Sequence, residues 1–123
     1  MPKHVLIVED SRTQAIRIQL ELQRYGLMVE VAGTGTAGLA AARTHVPDAI
    51  VLDVELPDLN GYALCRQVKG DPRTAHIPVV MLTRRDLAAD TLEGLQVGAD
   101  DYIPKDAFAE QNLVESLRHL GIV

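Results

Sequence analysis

Five short apolar runs recur along the chain, and a segment with helical spacing follows each of them. The runs cover residues 5–8, 27–32, 49–52, 79–82 and 102–103. Most are continuous and rich in β-branched residues, which is typical of strands that a sheet buries on both faces. Strands that alternate with single helices predict right-handed crossovers, and therefore a parallel sheet with helices on both faces.

The segment after the first run carries a helix-start signal. Ser11 and Gln14 have the spacing of a capping box, in which each side chain bonds a backbone N–H group that the helix leaves free. The apolar positions that follow share one helix face: Ala15, Ile18, Leu22 and Tyr25. Gly26 then supplies a C-terminal stop. The other helices are predicted to end near residue 45 and to cover about 61–69, 86–97 and 108–120.

The polarity of each run indicates its place in the sheet. The first, third and fourth runs are uninterrupted, as central strands should be, whereas the second contains Glu30 and the fifth is short and ends at Pro104. We therefore predict a doubly wound, five-stranded α/β fold of the flavodoxin-like type, with strand order 2-1-3-4-5. The point at which this order reverses lies between strands one and three, where ligands of such sheets bind.

Length and charge limit the function. The 123 residues suffice for one domain, so we expect a single domain over 1–123 without an output domain. Twelve Lys and Arg against seventeen Asp and Glu give a net charge of −5, which opposes binding to nucleic acid. Aromatic residues make up only 3% of the chain, so the platforms on which bases stack are also lacking.

Cysteine and histidine usage excludes two further kinds of site. The single Cys65 cannot form an internal disulfide, and we expect it to be a small core residue. The four histidines are spaced too irregularly to predict a zinc site: His4, His45, His76 and His119. The first apolar run is too short for a signal peptide or a membrane span, so we expect a cytoplasmic protein that does not bind the membrane.

Chemically reactive side chains stand at or just after the ends of the predicted strands. They are Glu9 and Asp10 after the first strand, Asp53 after the third, Thr83 after the fourth and Lys105 after the fifth. Because ligands of such sheets bind beyond the carboxyl ends of the strands, we expect these side chains to meet. The alternative is a purely structural cluster of ion pairs. Such a cluster would explain one or two reactive residues at strand ends, but it explains contributions from four strands less well.

This set of side chains predicts metal-assisted phosphoryl transfer. Carboxylates held close together repel and raise one another's pKa unless a cation lies among them. Hard oxygen ligands without His or Cys favour Mg²⁺. A carboxylate can itself be the nucleophile, while a lysine and a hydroxyl can hold the transferred group.

Four stretches of the sequence resemble the receiver domains of two-component response regulators, and the resemblance covers nearly the whole chain. They are V-L-I-V-E-D at 5–10, A-I-V-L-D-V-E-L-P-D-L-N-G-Y at 49–62, P-V-V-M-L-T at 78–83 and G-A-D-D-Y-I-P-K at 98–105. The resemblance implies a stand-alone, phospho-accepting response regulator.

By this resemblance Asp53 is the phospho-acceptor. The resemblance implies that Asp53 attacks a phosphohistidine on a sensor histidine kinase or a histidine phosphotransfer protein. It also implies that Asp10, Asp53 and the backbone carbonyl of Glu55 ligate Mg²⁺, with Glu9 acting directly or through water. Lys105 would pair with a phosphoryl oxygen.

The resemblance further implies a switch. Thr83 would bond the attached phosphoryl group and move inward, and Tyr102 would swing from exposed to buried. The face made by the fourth predicted helix, the fifth strand and the fifth helix would then bind a downstream protein target, and a homodimer is compatible with this scheme.

The resemblance also implies how the switch is reset. Glu55 and Arg85 would flank the attacking water and tune dephosphorylation. On this interpretation the protein is a signalling switch rather than an enzyme, since it catalyses only its own phosphorylation and dephosphorylation.

One departure from the family pattern concerns Lys105. The family usually has proline directly after this lysine, joined by a cis bond, whereas here Asp106 follows and Pro104 precedes it. A cis bond before a residue other than proline costs about 3 to 4 kcal/mol. The sequence therefore leaves the direction of the Lys105 side chain undetermined.

Three other functions fit parts of the sequence. Gly33, Gly35 and Gly38 form G-x-G-x-x-G between a strand and a helix, with Asp53 about twenty residues further on, as in dinucleotide-binding folds. Turn and packing roles explain these glycines more simply. The D-V-E at 53–55 superficially resembles the paired acids of haloacid-dehalogenase phosphatases, but those pairs follow the first strand of a longer core. An unphosphorylated docking module would not need the full set of site residues.

Overall fold

The computed structural model describes residues 2–84 and 96–123 and shows strands that alternate with helices. The strands are β1 (His4–Val8), β2 (Met28–Ala32), β3 (Ala49–Asp53), β4 (Val79–Thr83) and β5 (Asp101–Pro104). The helices are α1 (Arg12–Gln23), α2 (Gly35–His45), α3 (Gly61–Gly70) and the C-terminal α4 (Ala109–His119). The helix predicted over 86–97 falls largely outside the described residues.

The strands form one parallel sheet in the order β2-β1-β3-β4-β5. This confirms the predicted doubly wound fold. The central strands β3 and β4 are buried at every position, whereas the edge strands β2 and β5 are partly exposed. Because all strands run in the same direction, their carboxyl ends lie at one edge of the sheet.

Alternate strand residues pack into two apolar layers, one on each face of the sheet. Leu6 and Ile50 belong to the layer under α2 and α3, while Val5 and Val51 belong to the layer under α1 and α4. The burial of both faces explains why the strands read as continuous apolar runs. Within the ranges that the structure describes, no helix is both long and apolar enough to cross a bilayer.

Two side chains test the predicted helix faces. Cys65 is fully buried in the core, as predicted, and burial raises the pKa of its thiol to about 11. Tyr25 is predicted to continue the buried face of α1, and this prediction is wrong because Tyr25 is 43% exposed. The helix ends at Gln23 and the chain turns at Gly26, whose φ is 79°. Tyr25 therefore no longer follows the helical spacing.

At their carboxyl ends, β3 and β4 each extend one polar residue beyond the apolar run that predicts them. Asp53 is the last residue of β3 and pairs with Leu82. Thr83 is the last residue of β4 and pairs with Pro104. Both polar residues therefore belong to the sheet, which fixes their backbones.

Helix α3 starts very close to the strand that carries Asp53, and Gly61 permits this approach. A Cβ atom at Gly61 would overlap the carbonyl oxygen of Asp53 and lie 2.7 Å from Cα of Val54. The N–H group of Gly61 donates to the carbonyl of Val54 at 2.9 Å. The missing side chain thus lets the helix pack against the end of β3.

Gly61→Ala should lower the free energy of unfolding by about 2 kcal/mol or more, because the methyl group overlaps backbone atoms. Gly70→Ala is the matched control in the same helix, since nothing lies within 4 Å of its added Cβ. Its stability should be unchanged or slightly higher, because alanine has the better helix propensity. Urea unfolding followed by circular dichroism measures both variants, and equal stability would contradict the close approach.

Candidate functional site

Three carboxylates meet at the carboxyl edge of the sheet. Glu9 and Asp10 follow β1, and Asp53 ends the neighbouring strand β3. One oxygen atom from each lies within 4.8 Å of the other two. Glu9 and Asp53 are only 3% and 5% exposed, whereas Asp10 is exposed. Two of the three charges are therefore removed from solvent and need a partner.

Lys105 supplies that partner from the loop after β5. Its Nζ lies 3.0 Å from Oδ2 of Asp53 and 3.0 Å from each carboxylate oxygen of Glu9. The backbone N–H of Lys105 donates to the carbonyl of Thr83 at 2.7 Å, which holds the loop to β4. No peptide bond in the described ranges is cis, so Lys105 reaches the acids with a trans bond to Asp106.

Gln14 is a further member of the cluster that the sequence analysis did not place there. One half of the predicted capping box is confirmed, since Ser11 caps α1 and its hydroxyl accepts from the Gln14 N–H at 3.3 Å. The other half is wrong: the amide oxygen of Gln14 accepts from Lys105 Nζ at 2.7 Å. An ammonium group is a stronger donor than the backbone N–H of Ser11, and it lies within reach.

The pKa of Glu9 shows how burial and the neighbouring charges act on the cluster. Burial is the main cause that raises the pKa of Glu9 from 4.5 to about 7, because a buried carboxylate loses its hydration. Asp53 acts in the same direction, and Lys105 acts in the opposite one. One ammonium therefore does not balance two buried carboxylates.

The acids line an open cleft of about 180 Å³. Its walls are formed by Glu9, Asp10, Ser11, Asp53, Glu55, Arg84 and Lys105. The acids offer hard oxygen donors, so the residues fit Mg²⁺ in their chemistry. The backbone N–H of Glu55 donates to Oδ1 of Asp53 at 3.1 Å, which leaves Oδ2 directed towards Lys105.

Two other predicted residues, Thr83 and Tyr102, are not among those that line this cleft. Thr83 is completely buried at the end of β4, and the next residue, Arg84, forms the wall instead. Arg84 adds a positive charge that the sequence analysis did not assign to the site, although its place after a strand end was a usable signal. Tyr102 is partly buried, and its hydroxyl lies 3.0 Å from that of Tyr62. Arg85 lies outside the described residues, so its role stays a prediction.

The start of α2, where a dinucleotide phosphate would bind, is occupied by Asp58. Its carboxylate accepts from the N–H groups of Gly35 at 2.7 Å and Thr36 at 3.0 Å. The Thr36 hydroxyl and these N–H groups lower the pKa of Asp58 to about 2. A Cβ at Gly38 would lie 2.7 Å from Cγ2 of Val8, so this glycine lets α2 pack on β1. Both observations oppose the dinucleotide alternative.

A separate polar cluster lies at the opposite edge of the sheet, where β1 begins. Nε2 of His4 and Nδ1 of His45 lie 3.4 and 2.9 Å from the same oxygen atom of Glu30. His4 and His45 are 41 residues apart in sequence. Their contact arises because α2 returns the chain to this edge, and all three side chains remain partly exposed.

Comparison with known proteins agrees with this architecture. The family profile described as response regulator receiver domain matches residues 5–118. The response regulator MprA of Mycobacterium sp. (strain KMS) is 38% identical over 122 residues, which cover 98% of this chain and 51% of that protein. The chain thus spans about half the length of this curated relative.

Two solved structures are similar over nearly their whole length. The chemotaxis response regulator CheY4 of Vibrio cholerae has a TM-score of 0.90 at 29% identity, covering 98% of this chain and 99% of that one. The receiver domain of the sensor histidine kinase PA1611 from Pseudomonas aeruginosa PAO1 has a TM-score of 0.87 at 29% identity, with the same coverage. That structure has a magnesium ion coordinated in its active site cleft.

The raised pKa of Glu9 predicts how stability depends on pH. The folded chain holds this proton more strongly than the unfolded chain, so ionising Glu9 opposes folding. Between pH 4.5 and about 7, the metal-free protein should lose stability as the pH rises, by up to about 3 kcal/mol. Urea unfolding in EDTA across this range measures the loss.

Glu9→Gln should flatten this pH dependence, because it removes the titrating group. Glu115→Gln is the matched control, since the Glu115 side chain is 62% exposed on α4. The control should keep the slope of the wild type. An unchanged slope in Glu9→Gln would mean that Glu9 is not the group that titrates.

Proposed function

The chain belongs to the response regulator receiver family, and on that premise we propose that it is a phosphorylation-driven switch of a two-component system. Asp53 takes a phosphoryl group from a phosphohistidine of a sensor histidine kinase or a histidine phosphotransfer protein. The observation that carries the proposal is the buried Asp53 carboxylate, which lies in an open cleft with Oδ2 3.0 Å from the Lys105 ammonium. A buried carboxylate nucleophile beside a fixed cation suits phosphoryl transfer.

The transfer exchanges one bond to phosphorus for another. A carboxylate oxygen of Asp53 forms the new O–P bond while the N–P bond to the donor imidazole breaks. The imidazole keeps the electron pair of that bond and takes up a proton. Negative charge spreads over the three equatorial oxygens of the phosphoryl group. Lys105 lies where it can pair with one of them, and the N–H of Glu55 holds the carboxylate in orientation.

Mg²⁺ is the proposed cofactor, held by Asp10, Asp53 and the backbone carbonyl of Glu55, with Glu9 acting directly or through water. When bound, the ion supplies positive charge that stabilises the transferring phosphoryl group. Support comes from the three carboxylate oxygens within 4.8 Å of one another and from the negative charge that Lys105 leaves uncompensated. The related receiver domain of PA1611 coordinates a magnesium ion in its active site cleft.

The proposed output is a protein contact rather than a released product. Thr83 bonds the attached phosphoryl group, and burial of Tyr102 accompanies its movement. This changes the predicted face of the helix expected over 86–97, β5 and α4, which binds a downstream protein in the cytoplasm or a second copy of the chain. The present contact of Tyr102 with Tyr62 joins this face to the core. Glu55 and Arg85 tune the hydrolysis that resets the switch, so the protein catalyses only its own phosphorylation and dephosphorylation.

Acetyl phosphate should add one phosphoryl group to the chain when Mg²⁺ is present. Asp53→Asn should abolish the addition, because an amide is not a competent nucleophile. Asp48→Asn is the matched control, since Asp48 accepts from the His4 N–H at the other edge of the sheet. Intact mass spectrometry and location of the modified residue measure the result. Undiminished labelling of Asp53→Asn would place the acceptor elsewhere.

Mg²⁺ should raise the melting temperature, because a ligand at a hundred times its dissociation constant adds about 2.7 kcal/mol of stability. Asp10→Asn should lose most of this gain. It should not destabilise the metal-free chain, because it removes one of the repelling charges. Thermal unfolding in MgCl₂ and in EDTA measures both effects, again with Asp48→Asn as the control. A melting temperature that does not change in millimolar magnesium would rule out the proposed metal site.

A further inference from the structure

We propose that Gln14 is a positioning residue for Lys105, which holds the ammonium at the cleft while the carboxylates change partners. The inference rests on the proposed function, because it concerns how the site keeps its lysine during phosphoryl transfer. It starts from the 2.7 Å contact between Oε1 of Gln14 and Nζ of Lys105. This is the shortest of the four contacts that Nζ makes with the described part of the chain.

Gln14 differs in chemistry from the other partners of Lys105. Those partners are carboxylate oxygens, two from Glu9 and one from Asp53, each at 3.0 Å. A lysine ammonium has three donors and no acceptor, so only the oxygen of the Gln14 amide can face it. Gln14 is therefore the uncharged acceptor in this set.

The two carboxylates cannot hold Lys105 in the same way throughout the reaction. Formation of the acyl phosphate removes the negative charge of Asp53. A divalent cation bound by Asp53 and Glu9 would compete for the same lone pairs and repel the ammonium. The amide of Gln14 takes part in neither event, so its contact can persist. Lys105 can then turn from the carboxylates to a phosphoryl oxygen while Gln14 retains it.

The fold fixes Gln14 in this position. Its N–H is bonded to the hydroxyl of Ser11, the N-cap of α1, and its side chain reaches across 91 residues of sequence to Lys105. A second cavity of about 160 Å³ lies beside both residues, between α1 and α4. Without the amide acceptor, the Lys105 side chain has room to turn into this cavity and away from the cleft.

Gln14→Met keeps the length of the side chain and removes the amide acceptor. The rate of labelling by acetyl phosphate at saturating Mg²⁺ should fall at least about tenfold, as for a lost hydrogen bond to a charged group. Gln23→Met is the matched control, since Gln23 is exposed on the same helix, and it should react like the wild type. In the Lys105→Met background, Gln14→Met should cause no further loss, because its effect passes through Lys105.

A second measurement does not depend on phosphorylation. The ¹⁵N-labelled ammonium of Lys105 should give a resonance protected from water exchange in the wild type, with and without Mg²⁺, and Gln14→Met should lose it when Mg²⁺ is present, because the carboxylates no longer hold the ammonium. Equal rate losses with and without Lys105, or loss of the wild-type resonance on adding Mg²⁺, would overturn the assignment.

The two proposals fail in different ways. If the wild type is never labelled at Asp53, the proposed function is wrong, although the resonance still reports the contact. If the wild type is labelled but Gln14→Met reacts at the same rate and keeps the resonance, only the role of Gln14 is wrong.

Discussion

The two buried carboxylates at the carboxyl edge of the sheet share one ammonium group. The carboxylates of Glu9 and Asp53 are removed from water at the ends of neighbouring strands, and their repulsion opposes folding unless a cation lies between them. Lys105 provides that cation from the loop after β5. Burial is the main cause that raises the pKa of Glu9, and one positive charge beside two negative charges does not offset it. The proposed Mg²⁺ would relieve this same imbalance.

Apolar packing allows the fold to tolerate the imbalance. The central strands β3 and β4 are buried on both faces. Their paired residues include Asp53 at the end of β3. Gly61 lets α3 lie directly against the end of β3. Asp53 is therefore held by the sheet on one side and by a closely packed helix start on the other. As the proposed nucleophile, Asp53 would meet its donor with little loss of further freedom.

Two helices that begin at this edge have different electrostatic environments. The start of α2 is satisfied by a carboxylate of the chain itself, because Asp58 accepts from Gly35 and Thr36. The start of α1 is capped by the uncharged Ser11, and its first turn directs Gln14 towards Lys105. Asp58 thus excludes a further anion from the start of α2, while the start of α1 contributes Gln14 to the cluster around Lys105. This difference fits the proposed phosphoryl-accepting cleft better than a nucleotide-binding one.

The sequence by itself determined the strand order and the acids of the cleft, because both follow from local patterns: continuous apolar runs and the polar residues that end them. Tertiary structure decided the direction of Lys105, the partner of Gln14 and the meeting of His4 and His45 at Glu30. Gln14 shows the physical reason most clearly. Its local spacing favours a backbone contact within a capping box, but a charged donor 91 residues away binds its side chain instead. Local hydrogen bonds compete with stronger partners that only the folded chain brings within reach.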